Sequence, residues 1–523
     1  MNLCLNKTAF IIGLLALVNP AIVFTQERHD LRRIKEADLY SVLQELASPA
    51  YEGRETGTPG SLRAAEFIAS RMHQYGLLPF FSQRNGAGDQ LSGYYQGFKL
   101  IRYTPAETSL LVSDALKGTS LSLRTSTDFI VETAYDDQKG DYPIVFAGYG
   151  IHLPERGYNN YEGLDVTGKA VLLRQGYPGE NDTLGETWKT FRSIAGENAF
   201  DLDRRCSVAD SLGAALILIL EDELKSEHRG DSPVSVSCEG QQLYQDAEYV
   251  LPDTKLGFDV PCFYLTSEAS HKLSEILFPD SPDYQDDPKG YSLDPERNIL
   301  TVNLIIQVDT LEVFNVGGMM KGTDTTRTII IGAHYDHLGR RGEQIYYGSD
   351  DNASGVTGVL TLADLYSVSG KRLPMNIAFV CWTAEEKGLL GSLYYTTTLG
   401  ENHSVELYLN MDMISRSAPE DTSGKLISIG TRETDKYLRN IALQQNLEAE
   451  APLILDLWKV DGYSGSDYGS FIAYDIPVMT FFSGYHPDYH SPCDIPGRAD
   501  VKKMANILRL ISACLNQYLK ESY

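Results

Sequence analysis

Apolar positions along this chain change their spacing twice, and the changes mark out its parts. Leu39, Val42, Leu43 and Leu46 recur at helical spacing until Ser48-Pro49, and Ala64, Ala65, Phe67, Ile68, Met72 and Tyr75 do the same until Gly76. A turn-rich loop, Tyr51 to Gly60, separates these two predicted helices. Leu77 to Pro79 and Gln96 to Leu100 read as the start of a sheet. From about 105 to 300, short strand-like runs at 144–150, 168–174 and 213–220 stand between polar loops rich in Gly, Pro and Asp. From Leu300 onward strand-like and helix-like runs alternate to the end. Thr328–Ile331, Asn376–Trp382, Leu407–Asn410 and Pro477–Phe482 are largely apolar runs, the pattern of strands buried on both faces. This alternation predicts an α/β fold, a doubly wound mixed sheet with helices on both faces, interrupted by a mostly β inserted domain. The division that results is 1–26, then 27–105 as the first part of the α/β domain, 106–299 as the insertion, and 300–523 as the remainder.

The first 26 residues are set apart from the fold. Lys7 followed by the apolar run Ala9–Val18 has the charge and length of an export signal and is too short to cross a bilayer. Cleavage is expected between about Ala21 and Gln26. Cys4 precedes the run rather than closing it, which argues against a lipid anchor. No later segment approaches the roughly 18 consecutive apolar residues of a membrane-spanning helix. The expected location is therefore periplasmic or extracellular, with no membrane anchor. Bulk composition alters this picture little: 523 residues suit two or three domains, and 42% hydrophobic with 22% charged is ordinary for a globular protein. The net charge of −26 argues against nucleic acid or an anionic membrane surface as partner. Six cysteines remain beyond Cys4, too few to scaffold a chain of this length. Cys206 and Cys238 could pair, or serve with the rest as small hydrophobic residues.

Candidate chemistry collects at the strand ends. His334 and Asp336 lie just beyond the run that closes at Gly332, and Asp350-Asp351-Asn352 directly precede the helical run Val356, Val359, Leu360, Ala363. Glu385-Glu386 follow the strand ending at Trp382, Asp412 follows Asn410, and His490 follows the run ending at Phe482. Each motif alone has an ordinary explanation, as a histidine at a strand end or a capping cluster at a helix start. Together they place donors repeatedly beyond the carboxyl ends of predicted strands, where α/β sheets gather ligands. Mixed imidazole and carboxylate donors suit Zn2+ better than Mg2+ or Ca2+. One shared carboxylate with the other donors split evenly would make a two-metal site, the ions about 3.5–4 Å apart. Of the adjacent glutamates, one would ligate while its neighbour takes a proton from water. Asp336 is placed to hold the His334 imidazole in one tautomer.

These motifs resemble those of the di-zinc exopeptidase family that contains secreted bacterial leucyl aminopeptidases and glutamate carboxypeptidase II, whose fold is the zinc-exopeptidase, phosphorylase/hydrolase-like one. They stand here as Gly332-Ala-His334-Tyr-Asp336-His-Leu-Gly, Asp350-Asp351-Asn352-Ala-Ser-Gly355, Thr383-Ala-Glu385-Glu386-x-Gly388-Leu-x-Gly391-Ser, Asn410-x-Asp412-Met413, Ser466-Asp467-x-x-x-Phe471 and His490-Ser-Pro-x-Asp494. The resemblance is close over 300–523 and loose over 33–100, and the stretch near 140–225 is similar to the protease-associated domain often inserted in this family. It implies two Zn2+ ions: His334 and Asp412 bind one, Glu386 and His490 the other, and Asp351 bridges them together with the nucleophilic water. Asp351 rather than Asp350 takes the bridge because it directly precedes Asn-Ala-Ser-Gly, and in the family the peptide bond after this aspartate is commonly cis. Glu385 is then the general base that passes the water's proton to the leaving amine. The Tyr485–Tyr489 segment is a candidate oxyanion donor, with a pocket wall as its alternative role. His337 and His486 are expected behind the ligands or at the surface, and Ser466-Asp467 in a substrate-facing loop or at a helix cap.

The implied activity is removal of N-terminal residues from peptides. A carboxypeptidase or dipeptidase of the same family is the first alternative, since that branch also carries the insertion. A glutaminyl cyclase fits less well, because that branch works with one zinc. A non-catalytic, receptor-like binding relative is disfavoured by the intact donor set, since clustered carboxylates without a metal repel one another. Side-chain specificity and oligomeric state are not encoded in any pattern of the sequence.

Overall fold

The computed structural model describes residues 31–81, 91–114, 116–180, 184–195, 201–221, 245–254, 257–278, 291–294, 296–370, 373–399, 405–460 and 465–521. The expected export signal, 1–26, and Cys238 lie outside the described residues. Cys206 is a free thiol rather than half of a pair with Cys238, and its Sγ lies 4.0 Å from that of Cys262.

Both helices read from the early apolar spacing form. They are α1 (Glu36–Leu46) and α2 (Pro59–Gln74). Helix α2 opens on Pro59 behind Thr58, whose hydroxyl accepts the Ser61 N–H. Leu39, Leu43, Leu46, Ala64, Ile68 and Met72 point from them into the main core. Two very long strands follow, β1 (Tyr95–Asp114) and β2 (Asn298–Met320), paired antiparallel from Tyr95↔Val316 to Asp114↔Asn298. The chain then runs through β3 (Asp324–His334), helix α3 (Gly355–Ser367), β4 (Met375–Trp382), β5 (Val405–Asp412), β6 (Leu426–Thr431), β7 (Ile454–Lys459) and β8 (Val478–Phe482). Helix α4 (Val501–Glu521) closes the described chain.

Strand order is β1–β2–β4–β3–β5–β8–β6–β7. The four central strands β4, β3, β5 and β8 run parallel, so their carboxyl ends share one edge. Because successive side chains of a strand face opposite ways, Ile329, Ile331, Ile377, Phe379, Leu407 and Leu409 meet α1, α2, α3 and α4 on one face. Ile330, Ala378, Val380, Tyr408 and Val478 form a second core on the other. This is the doubly wound mixed sheet expected.

The insertion is carried on the β1–β2 ribbon. Its strands Gln138–Phe146, Ala170–Arg174, Leu216–Leu220 and Cys262–Leu265 pair parallel in that order. Helix Ser267–Leu277 packs in the core on one face of them and Leu202–Ser211 in the core on the other. Strands dominate the insertion, and the helix Ser267–Leu277 buries Ala269, Leu273 and Leu277 at helical spacing. The domain boundaries expected at 105/106 and 299/300 fall inside β1 and β2 rather than in linkers. At the junction the register shifts, Ile305 facing Glu107 while Ile306 faces Pro105, so Ala106 is the extra residue of a bulge. Proline, which has no N–H to give a ladder, is tolerated there.

Gly332, near the carboxyl end of β3, illustrates how tightly the second core is packed. A Cβ at this position would lie 2.7 Å from Trp382 Nε1 and 2.7 Å from the Tyr408 ring. Those two groups start a buried hydrogen-bond chain: Trp382 Nε1 donates to the Tyr408 hydroxyl (2.9 Å), which donates to Asn410 Oδ1 (2.7 Å). Gly332→Ala is expected to destabilise the protein by about 1–3 kcal/mol through overpacking. Urea unfolding measures this, and a loss below 0.5 kcal/mol, of the order of an ordinary surface change, would contradict it.

Candidate metal centre

Four neighbouring parallel strands deliver the donors to one edge. His334 is the last residue of β3 and Asp412 the last of β5. Glu385 and Glu386 sit in the turn beyond β4, and His490 in the loop beyond β8. Asp351 lies in the segment Ser349–Ser354 that leads into α3, and the Asp351–Asn352 peptide is cis.

The donor atoms fall into two sets that share one residue. His334 Nε2 is 3.4 Å from Asp412 Oδ1 and 3.4 Å from Asp351 Oδ1. His490 Nε2 is 3.1 Å from Asp351 Oδ2 and 3.3 Å from Glu386 Oε2. A tetrahedral ion with bonds of about 2.0–2.1 Å spaces its ligand atoms about 3.3 Å apart, so all four separations fit edges of such sites. The two oxygens of Asp351 face different sets. Glu385 stands to one side, its Oε2 3.8 Å from His334 Nε2.

Other carboxylates hold this arrangement from behind. His334 Nδ1 is 3.2 Å from the backbone carbonyl of Asp336, whereas the Asp336 carboxylate is 3.9 Å away. The imidazole is thus oriented by the Asp336 main chain and not, as the sequence suggested, by its side chain. That side chain instead accepts the N–H of Glu385 (3.1 Å), the N–H of Glu386 (3.3 Å) and the Thr56 hydroxyl (3.0 Å), fixing the glutamate turn. Asp494 accepts the backbone N–H groups of Asp350 and Asp351 at 2.9–3.1 Å. Asp350 turns away from the donors and accepts from the Ser415 N–H and hydroxyl. Asn352 ties the segment to β5, donating to the Met411 carbonyl and accepting the Gly355 and Met413 N–H groups.

Arg54, from the turn-rich loop before α2, is the least expected member. It is fully buried and its guanidinium donates to four carbonyls, those of Leu46, Tyr335, Tyr347 and Gly348. Burial lowers its pKa to about 10, with Asp351, Asp494, Asp336 and Glu386 pulling the other way. Nothing local in the sequence marks it, because every partner but Leu46 is far along the chain.

Of the remaining candidates, Tyr485 and Tyr489 line the cavity beside the donors with Met413, Trp458, Tyr468 and Phe482. Burial raises the Tyr489 phenol far above its usual range, so it keeps its proton, and its ring stacks on His490 at 3.7 Å. Asp467 is buried at the start of a short helix, Tyr468–Ile472, and makes no capping hydrogen bond with its side chain. His486 is buried behind the site, 3.4 Å from Asp350 Oδ2, and His337 is buried against Glu386.

So much buried acid makes folding without cations a proton-uptake process. Burial raises Glu385, Asp336 and Asp412, and takes Asp467 to about 7 and Asp494 to about 6. Burial alone would lower the imidazoles, but Glu385 and Asp412 outweigh it at His334, and Glu386 and Asp351 do so at His490, which rises to about 10. Unfolded carboxyls titrate near pH 4 and imidazoles near 6.5, so above those values the folded state binds more protons and stability falls as pH rises. Glu386 is the exception: despite its burial, His490 and His337 hold it low, and its contribution is lost only below the ordinary carboxylate range. In chelator, Tm is expected to be lower at pH 8 than at pH 5.5, and Zn2+ to raise Tm more at pH 8. A metal-free Tm that climbs across this interval would contradict the assignment of these groups to one cluster. Arg54→Met, which strands four buried carbonyls, is expected to cost about 3–5 kcal/mol in the metal-free protein by urea unfolding, and a loss under 1 kcal/mol would show that the carbonyls find other donors.

Residues 315–515 match Peptidase family M28. Leucine aminopeptidase 2 of Trichophyton rubrum is 30% identical over 274 residues, 50% of this chain and 48% of that protein. Probable leucine aminopeptidase 2 of Trichophyton verrucosum (strain HKI 0517) is 27% identical over the same shares. The chain thus spans about half the length of the curated relatives it matches. Among solved structures, it is similar to the aminopeptidase from Aneurinibacillus sp. strain AM-1, at 19% identity and a TM-score of 0.63 over 94% of this chain and 95% of that one. It is also similar to a zinc aminopeptidase from Bacillus subtilis, at 18% identity and a TM-score of 0.56 over 93% and 95%. These two likenesses extend the common α/β fold across almost the whole chain. His334, Asp351, Glu385, Glu386, Asp412 and His490 all lie within the stretch, residues 315–515, that matches Peptidase family M28.

Proposed function

We propose that the chain is an exported aminopeptidase working with two Zn2+ ions, and that its insertion is a protease-associated-like domain. The observation that carries the two-ion reading is the division of Asp351: Oδ1 faces His334 and Asp412, Oδ2 faces His490 and Glu386. Bound there, the ions would polarise a peptide carbonyl and acidify water. The donor set fits Zn2+, being two imidazoles and three carboxylates at tetrahedral-edge separations.

Glu385 belongs to neither set of edges, and that leaves its carboxylate for proton transfer. Burial first, then Asp412 and Glu386, raise its pKa, with His334 opposing, so it can take a proton from water and return it to the leaving amine. Asp336 keeps it in place through the Glu385 N–H. Tyr489, protonated and beside the donors, is the candidate for supplying an O–H to the oxyanion.

The cavity favours an amino terminus over a carboxyl terminus. It measures about 360 Å³, and the described residues lining it include Asp351, Glu385, Glu386, Asp412 and Asp456 but no lysine or arginine. A terminal ammonium is attracted to such a surface, whereas a terminal carboxylate has no cationic side chain there to meet it. Its aromatic walls suit a bulky apolar first residue, in keeping with the leucine aminopeptidases among the relatives.

The deciding assay offers one short peptide in free, N-acetylated and C-amidated forms, with Zn2+ and separately with chelator, and identifies products by mass. Loss of N-terminal residues from the free and amidated forms only, abolished by chelator, is expected. Cleavage of the acetylated but not the amidated form would move the protein to the carboxypeptidase alternative, and no cleavage without bound metal would leave only a binding role. Glu385→Gln is expected to lower kcat by about 10²–10⁴-fold while metal content is unchanged. Wild-type turnover in that variant would remove Glu385 from the mechanism.

A further inference from the structure

One imidazole at the centre has no part in the scheme above. His337 is fully buried, its Nδ1 2.7 Å from Glu386 Oε1 and 3.6 Å from Asp351 Oδ2. With Asp351 and Glu386 it forms a group whose donor atoms could by themselves surround a cation. It is thus either a further ligand or a hydrogen-bond donor to one.

The separations choose between these roles. The four donor pairs assigned to the ions stand 3.1–3.4 Å apart, as edges of tetrahedral sites do. The His337–Glu386 pair, at 2.7 Å, is well inside that edge and matches a charge-assisted N–H···O bond. Its other approach, to Asp351 Oδ2 at 3.6 Å, lies beyond the edge. Glu386 uses Oε1 for His337 and turns Oε2 toward His490. A carboxylate can only accept in such a bond, which puts the imidazole proton on Nδ1. Nε2 is buried with no hydrogen-bond partner among the described residues, so this tautomer also leaves no buried N–H unpaired.

The seat of the ring is built into the backbone. A Cβ at residue 348 would lie 2.5 Å from His337 Cγ and 2.5 Å from Cδ2, and Gly348 has a φ of +54°. Glycine there both adopts the left-handed turn and leaves space for the imidazole. The His337 N–H donates to the Arg54 carbonyl at 3.3 Å, and Arg54 Nη2 donates to the Gly348 carbonyl at 2.7 Å.

We propose that His337 is a positioning residue for the second Zn2+ site, holding Glu386 through Oε1 so that only Oε2 is offered to the ion. This inference rests on the two-zinc reading. The second ion then has one donor atom from each of Asp351, Glu386 and His490, and keeps an open position for substrate or water. Without His337 the Glu386 carboxylate is free to rotate, to approach the ion through both oxygens, or to leave it. The first ion, held by His334, Asp412 and Asp351, is not touched by this bond.

The test is metal affinity, with activity set aside. Full-length wild type, His337→Phe and His337→Asn would be stripped with chelator and titrated with Zn2+ against a competing indicator. Phenylalanine keeps the ring against Gly348 but has no donor, whereas an asparagine amide can donate from near the position of Nδ1. The expected result is two ions in wild type, with one of the two bindings about 10–100-fold weaker in His337→Phe and the other unchanged. His337→Asn is expected to recover most of that loss. In the Co2+-loaded proteins, the visible bands of the second ion should change in His337→Phe and return in His337→Asn. Unchanged affinities in a folded His337→Phe would overturn the proposal, and so would equal weakening of both ions, which would mean a general packing role. Loss of the second ion in both variants, with one fewer imidazole on cobalt by X-ray absorption, would make His337 a ligand instead. If wild type itself takes up a single ion, the two-zinc reading fails and the inference fails with it, an outcome distinct from a two-ion wild type with an indifferent His337.

Discussion

Buried negative charge is the constraint around which this molecule is arranged. Asp336, Asp350, Asp351, Glu385, Glu386, Asp412 and Asp494 converge on one end of the sheet, where water is scarce and mutual repulsion strong. The structure divides them by what they accept. Asp336, Asp350 and Asp494 are occupied by main-chain N–H groups and hydroxyls on the protein side. Asp351, Glu385, Glu386 and Asp412 turn toward the cavity, and the cationic groups paired with them are imidazoles. The first kind shapes the loops, and the second is left in need of cations. A buried charge short of compensation is costly, so the same feature that makes the metal-free fold pH-sensitive is what would give divalent ions their affinity.

Backbone conformation tells the same story. Ala384, Met413 and His490 are non-glycine residues in the left-handed region, at φ of +57°, +53° and +50°. They stand immediately before Glu385, immediately after Asp412, and at a donor itself. Such conformations cost of order 1–3 kcal/mol each and persist only where surroundings over-determine them. Here the surroundings are visible: Asp336 grips the Glu385 and Glu386 N–H groups, Asn352 grips Met413, and the Ser491 hydroxyl of the His490 loop donates to the Asp488 carbonyl. Rigidity is thus supplied by neighbours that never face the cavity.

The parts of this design that depend on local order could be read from the sequence. Continuous apolar runs at Ile329–Ile331 and Asn376–Trp382 specified central strands because parallel strands are buried on both faces, and donors just past their ends had to share an edge. Motif position distinguishes Asp351 from Asp350, and in the structure Asp351 approaches His334 and His490 while Asp350 accepts from Ser415. What could not be read was the identity of hydrogen-bond partners distant in the chain. Asp336 was assigned to the imidazole two residues away, whereas its carboxylate serves a turn near residue 385. Arg54 lay in a loop with no apolar period, and its role exists only once residues 335–348 fold over it. His337 gave no more signal than any histidine beside a ligand, since a 2.7 Å contact is a property of three dimensions. The expected boundaries fall inside continuous strands for a related reason: the change in sequence texture marks where loops become polar, while the strands themselves run on through Pro105 and Ile299.

That continuity bears on how the insertion relates to the chemistry. The β1–β2 ribbon does not end at the border of the α/β sheet; its root is bonded into the glutamate turn. Asn315, on β2, accepts the Thr383 N–H and donates to the Gly391 carbonyl, bracketing Glu385 and Glu386 from both sides. Phe98, Leu100 and Val313 from the ribbon share an apolar cluster with Ala384 and Leu390, and with Tyr249 and Leu251 from the insertion. Lys387, next after Glu386, lies over the Tyr249 ring and 3.5 Å from Glu55. Arg341, in the loop after His337, pairs with Asp246 of the insertion. The turn that bears Glu385 and Glu386 is therefore clamped between the α/β domain and the insertion's stalk. Displacing the stalk would remove the Asn315 hydrogen bonds and this apolar cluster from one side of the turn and leave the Asp336 carboxylate holding the other. The insertion is in this sense a structural support of the donor cluster.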